Sequence, residues 1–161
     1  MSPIERAVRE FHEKFDCGIA ETPRLPRVSD TVNLILQRGV MELHQLAWLM
    51  MQAAASERGE ESHLLLIRLQ LLLEELAELA EALREGDVEA ALHELVDLLY
   101  VVEGTFLSLG LWEVKEQALL EIHRSNMTKL VDGRPALNEA GRVVKGPDYQ
   151  KPDLKKILEE L

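Results

Sequence analysis

The chain has 161 residues, 47% hydrophobic but only 4% aromatic, so it is long enough to bury a core as a single domain spanning 1–161, and its Leu, Ala and Glu content favours an all-α fold. A formal net charge of −11 argues against a nucleic-acid polymer or an anionic membrane as partner, and suits a nucleotide only where divalent cations supply local positive charge. A single cysteine, Cys17, suits a reducing compartment; with no signal-peptide layout and no apolar run near the ~20 residues of a membrane span, the expected location is cytoplasmic.

Ser2-Pro3 reads as N-cap and first residue of a helix reaching about Asp16, with Ile4, Val8, Phe11 and Phe15 as its buried stripe and Gly18 as its stop. His12 beside Phe11 is read as packing or surface. The prolines of Glu21-Thr-Pro23-Arg-Leu-Pro26 dictate an extended loop. Residues 28–58 then form a helical segment capped by Ser29 or Asp30, with Gly39 as an expected interruption or kink. Val32, Ile35, Leu36, Leu43, Leu46, Ala47, Met50 and Met51 keep helical spacing there, which fits a core helix or an oligomer contact.

Ser62 is the expected cap of a long helix that ends at Arg84-Glu85-Gly86-Asp87, with Gly86 as helix stop and Asp87 as the N-cap of the next helix, which runs to about Leu109. Nine carboxylates and one base, Arg84, lie between Glu74 and Asp97. Two pairs stand three residues apart and so share a helix face: Glu75 with Glu78, and Glu94 with Asp97. Glu78 and Glu94 are each 8 residues from Gly86, and Glu75 and Asp97 each 11, so an antiparallel hairpin puts the four at matching heights. On a helical wheel Glu75 falls inside the arc of Leu72, Leu76, Leu79 and Leu83, and Glu94 is flanked by Leu98 and Val101. Carboxylates placed like this are costly to desolvate unless a cation neutralises them, and all-oxygen ligands favour Mg²⁺ or Mn²⁺ over zinc. Glu74, Glu81, Glu85 and Glu89 read mainly as a solvated face. Arg68, seven residues before Glu75 on the same face, is either a surface salt-bridge partner or a phosphate or carboxylate contact. The second helix is apolar almost all round (Leu95, Val96, Leu98, Leu99, Val101, Val102, Phe106), which requires cover on every side. A homodimer or higher homo-oligomer completing a four-helix bundle meets that need.

After Gly110 a further helix is expected from about Trp112 to Lys129, with Arg124, Asn126 and Lys129 near its C-terminus. Asp132-Gly133-Arg134-Pro135 reads as a turn, residues 136–145 as a small hairpin, and Pro152-Asp153 as the start of a short terminal helix.

The order Glu74-Glu75-x-x-Glu78, His93-Glu94-Leu-Val-Asp97-Leu-Leu-Tyr100, Gly104, Glu121-Ile-His123-Arg124-Ser-Asn126-Met-Thr-Lys129 and Gly141-Arg-Val-Val-Lys145-Gly-Pro-Asp-Tyr149 resembles the all-α nucleoside triphosphate pyrophosphohydrolases. These include the MazG proteins, the dimeric dUTPases and the phosphoribosyl-ATP pyrophosphohydrolases. The resemblance covers about residues 62–157 and, more loosely, 5–26; the helical segment at 28–58 departs from it. It implies a four-helix MazG-like core and hydrolysis of a nucleoside triphosphate, dUTP or another dNTP in a house-cleaning role, to monophosphate and pyrophosphate. Mg²⁺, with Mn²⁺ as substitute, would be held by Glu75, Glu78, Glu94 and Asp97, and a carboxylate of the Glu74-Glu75 pair would take a proton from water. Asn126 and Lys129 would contact sugar and phosphates, Lys145 a phosphate and Tyr149 a base, with Arg68, Tyr100 and Arg124 also on the substrate side. The Phe11-His12 helix and the Pro-rich loop would lie near the nucleotide, the loop as a lid.

Three alternatives are distinguishable. A phosphoribosyl-ATP pyrophosphohydrolase shares the metal site but not the substrate. A carboxylate-bridged di-iron bundle expects two Glu-x-x-His pairs, and only Glu60-x-x-His63 is present. A non-catalytic helical interaction protein predicts no metal dependence.

Overall fold

The computed structural model describes all of residues 1–161 and is all-α apart from one two-stranded ribbon. Its six helices are α1 (Pro3–Phe15), α2 (Asp30–Ser56), α3 (Glu61–Glu85), α4 (Val88–Ser108), α5 (Lys115–Met127) and α6 (Leu154–Glu159), with strands β1 (Leu130–Val131) and β2 (Arg134–Pro135) between the last two. They form two compact units, Thr22–Gly110 and Met1–Glu21 with Leu111–Leu161. No helix is long and apolar enough to cross a membrane.

In the Thr22–Gly110 unit, α3 is the central helix, packed on one side by α2 and on another by α4. Val40, Ala47 and Ala54 are the buried residues of α2, spaced by sevens, and Ala77, Leu79 and Ala82 are those of α3, spread around the helix as its central position between two neighbours requires. Side chains this small let helix axes come close, and the seven-residue period keeps the seam in contact along nearly parallel or antiparallel helices. Helix α2 runs unbroken through Gly39 from its Ser29 cap, whose side chain accepts from the Val32 N–H. No interruption occurs there because one glycine lowers helix propensity without removing a backbone hydrogen bond. Helix α3 starts two residues earlier than expected, with Glu60 at the N-cap making no side-chain bond. Ser62 lies inside the helix and donates to Glu57 instead. The α2–α3 connection is also pinned by His63, whose Nδ1 lies 2.8 Å from the Ala54 carbonyl.

The α3–α4 turn takes the expected form. Gly86 is left-handed (φ 75°) and its N–H donates back to Ala82, while Asp87 Oδ1 accepts from the N–H groups of Glu89 (2.9 Å) and Ala90 (3.0 Å). Arg84 braces the same corner: it donates to Glu81 and Glu85 and reaches Asn33 Oδ1 on α2 at 3.3 Å.

The second unit packs α1 and α6 on α5. Ser2 and Glu5 form a reciprocal capping box at the start of α1. That helix ends at Asp16, left-handed at φ 53°, rather than at Gly18, whose carbonyl instead meets His12 Nδ1 at 3.1 Å. Phe11 and Phe15 stack at 4.2 Å. Helix α5 is shorter than expected, ending at Met127, and the Asp132-Gly133 turn closes a ribbon pairing Leu130 with Pro135. The hairpin expected at 136–145 is a single bridge, Leu137 with Val143.

Glu121 anchors this unit. Arg124 donates to both of its oxygens at 2.7 and 2.8 Å, and the Asp153 N–H donates at 2.7 Å just ahead of α6. These partners, Arg124 foremost, depress the Glu121 carboxyl to about 2. A depressed acid contributes stability that is full above its unfolded value near 4.5 and is lost as pH falls through about 2. Acid titration followed by circular dichroism is therefore expected to show Glu121→Gln less stable at neutral pH, with the gap to wild type closing between those two values.

Candidate metal and nucleotide site

Register in the α3–α4 hairpin decides the geometry of the acidic site. Because the turn fixes α4 antiparallel to α3, the equal offsets of Glu78 and Glu94, and of Glu75 and Asp97, bring residues far apart in sequence to the same height. Ligand-type oxygens of Glu75, Glu78 and Glu94 lie within 4.8 Å of one another. His93, Glu94 and Asp97 form a second such group sharing Glu94.

The electrostatics of the site are those of crowded like charges. Partial burial is the largest cause raising the Glu75 carboxyl, followed by the charges of Glu78, Asp97, Glu94 and Glu74. Glu78 is more exposed, and its carboxyl is raised too, by lost hydration within the cluster and then by the charge of Glu94. Opposing this, the nearest arginine along the sequence, Arg84, is committed to Glu81 and Glu85 at the turn. Glu94, with a side chain only 15% exposed, keeps Oε2 buried and without any hydrogen-bond partner. A buried carboxylate oxygen lacking a donor, amid three more carboxylates, is costly as it stands and is satisfied by a divalent cation. The donor set fits Mg²⁺ or Mn²⁺, since carboxylate oxygens dominate it.

Around this core Glu74 is oriented by Gln70, whose Nε2 donates to Glu74 Oε2 at 2.9 Å. His93 borders the cluster on α4. Its Nδ1 lies 3.0 Å from Glu94 Oε1 and its Nε2 3.4 Å from Asp97 Oδ2. The hydrogen bond to Glu94, then the charges of Asp97 and Glu94, raise its pKa. The i,i+4 relation to Asp97 was the available sequence signal; the all-carboxylate pattern drew attention from it. His44 on α2 also acts on the site, its charge opposing the rise at Glu78.

The other residues expected on the substrate side are distributed as follows. Tyr100, one turn beyond Val96 on α4, is 79% exposed. Arg68 belongs to α3, half-buried. Arg124, Asn126, Lys129, Lys145 and Tyr149 all belong to the Met1–Glu21 and Leu111–Leu161 unit. There Arg124 is engaged by Glu121, Gln150 Oε1 (2.9 Å) and the Lys151 carbonyl (3.1 Å), a structural clamp between α5 and the segment before α6. Lys129 Nζ donates to Asn126 Oδ1 at 2.7 Å, and Lys145 Nζ sits 4.7 Å above the Tyr149 ring.

Comparison with known proteins adds one result. The model of the family described as phosphoribosyl-ATP pyrophosphohydrolase matches residues 40–126, from the middle of α2 to the end of α5, and so contains all four converging carboxylates. No curated protein and no solved structure matches the chain. The match covers more than half of the chain, which therefore belongs to the phosphoribosyl-ATP pyrophosphohydrolase family, within the MazG-like all-α superfamily, whose members hydrolyse a pyrophosphate bond in a nucleotide.

Proposed function

We propose that this chain hydrolyses a nucleoside triphosphate between the α and β phosphates, releasing pyrophosphate, with Mg²⁺ or Mn²⁺ held by Glu75, Glu78, Glu94 and Asp97. The observation that carries the proposal is the convergence of carboxylates from α3 and α4 around the unpartnered Glu94 Oε2. Bound there, Mg²⁺ supplies charge neutralisation for the phosphates and acidifies a water. The protein's own part is positional and basic. The proton of the attacking water passes to the Glu74–Glu75 pair, of which Gln70 fixes Glu74. His93 holds Glu94 and Asp97 in register through its two ring nitrogens.

Within this chemistry the first candidate substrate is a (d)NTP, dUTP included, on the strength of the C-terminal motifs. The second is phosphoribosyl-ATP itself, favoured by the family whose model matches. We further assign the bare apolar stripe of α4 to a second copy of the chain. Leu92 (62% exposed), Leu95, Val96 and Leu99 lie at helical spacing on one face, and in the entire chain no large side chain is fully buried. A chain with 47% hydrophobic residues meets its need for cover by association.

Three outcomes are expected. Across NTPs, dNTPs and phosphoribosyl-ATP, pyrophosphate release depends on Mg²⁺ and is abolished by EDTA, and Asp97→Asn lowers kcat by roughly a hundredfold or more. Orthophosphate as first product, or turnover indifferent to Asp97, would sink the reading in favour of a non-catalytic helical protein. In EDTA, Glu78→Gln raises Tm by roughly 2 °C, because a carboxyl whose folded pKa is raised destabilises the fold once ionised; Mn²⁺ stabilises wild type but not the variant. Sedimentation shows an oligomer that Leu99→Glu converts to a smaller species, whereas a wild-type monomer would refute the assigned interface.

A further inference from the structure

Two turns beyond the carboxylates, away from the Gly86 turn, the hairpin carries a second matched pair. Arg68 lies seven residues before Glu75 and Gly104 seven after Asp97, so each is 18 residues from Gly86 and they face one another about 10 Å along the helices from the acidic centre. Seven residues is nearly two full turns, so Arg68 shares the face of Glu75. Its guanidinium lies directly over Gly104: a Cβ at that position would stand 2.9 Å from Arg68 Nη1. Gly104 is an interior residue of α4 with an ordinary helical backbone, where glycine is a poor helix former and no positive φ demands it. The space it leaves is what the guanidinium occupies.

Arg24, Arg27, Arg58, Arg134 and Arg142 are exposed to water, but Arg68 is partly withdrawn from it, and its Nε is buried without a hydrogen-bond acceptor. An unpaired buried donor on a permanently charged group is expensive, and a guanidinium fork matches phosphate geometry.

Resting on the pyrophosphohydrolase reading above, we propose that Arg68, seated on Gly104, is a specificity-determining contact for a substrate phosphoryl group remote from the scissile bond. The acidic centre and Arg68 then hold one anionic substrate at two points on one face of the hairpin. The phosphoryl group has two sources, the terminal phosphate of a triphosphate chain or a phosphomonoester on a base substituent.

The test is steady-state pyrophosphate release in Mg²⁺ by wild type, Arg68→Ala, Arg68→Lys and Gly104→Ala, with Tm of each in EDTA with and without inorganic phosphate. Loss of a charge-assisted contact is expected to raise KM about ten- to a hundredfold in Arg68→Ala with kcat little changed. Lysine restores part of it. Gly104→Ala, which keeps the arginine but fills its seat, raises KM in the same direction while Tm holds or increases, since alanine is the better helix former. That variant remains decisive even where Arg68→Ala fails to fold. A KM effect present with plain nucleoside triphosphates identifies the terminal phosphate; one confined to phosphoribosyl-ATP identifies the phosphomonoester. Unchanged KM in both Arg68→Ala and Gly104→Ala overturns the proposal and leaves the enzyme reading standing. Should wild type hydrolyse nothing, the enzyme reading fails. The anion site is then judged by whether inorganic phosphate raises the wild-type Tm and not that of Arg68→Ala.

Discussion

The register of the α3–α4 hairpin is the constraint on which the acidic site depends. Its carboxylates belong to two helices, and only the tight turn at Gly86 and Asp87 converts equal sequence offsets into equal heights. One residue more or less in that turn would rotate α4 by about 100° relative to α3 and carry Glu94 and Asp97 off the shared face. The turn is accordingly over-determined. A left-handed glycine, a bidentate aspartate cap and an arginine bound to two glutamates and to α2 all fix the same corner.

That rigidity opposes a local conflict. Like charges crowded on partly buried helices raise the carboxyls of Glu75 and Glu78 and leave a Glu94 oxygen without a donor. Such an arrangement works against the stability of the isolated chain; a divalent cation bound there would reverse its sign. The polar residues around it, Gln70 on Glu74 and His93 on Glu94 and Asp97, hold the carboxylates in place without neutralising the group as a whole.

Periodicity made the helices legible, and the hairpin was legible to the residue, because glycine and aspartate at a turn have local, stereochemical causes. Counting outward from Gly86 then placed the carboxylates. What sequence could not carry was non-local. Gly39 looks like a break in isolation, yet α2 runs through it unbroken, packed against α3. Ser62 looks like a cap, yet the chain enters α3 two residues earlier and gives that hydroxyl to Glu57. Arg124 looks like a free cation near a basic helix end, and only folded geometry shows it clamped between Glu121 and the residues before α6. The role of Gly104 was equally invisible, since nothing local distinguishes a glycine that makes room for a distant arginine from one that merely weakens a helix.

The bracing of the corner by Arg84 has a mechanical consequence. With one end of the hairpin tied, the two helices can separate only as a pair of arms pivoting at Gly86, so displacement grows with distance from the pivot. The carboxylates stand 8 and 11 residues out, Arg68 and Gly104 stand 18, and a given opening angle therefore moves the outer pair about twice as far as the inner four. The inner residues shift about half as far as the outer gap opens. A hinge placed at Gly86 therefore concentrates its movement at the end far from the carboxylates.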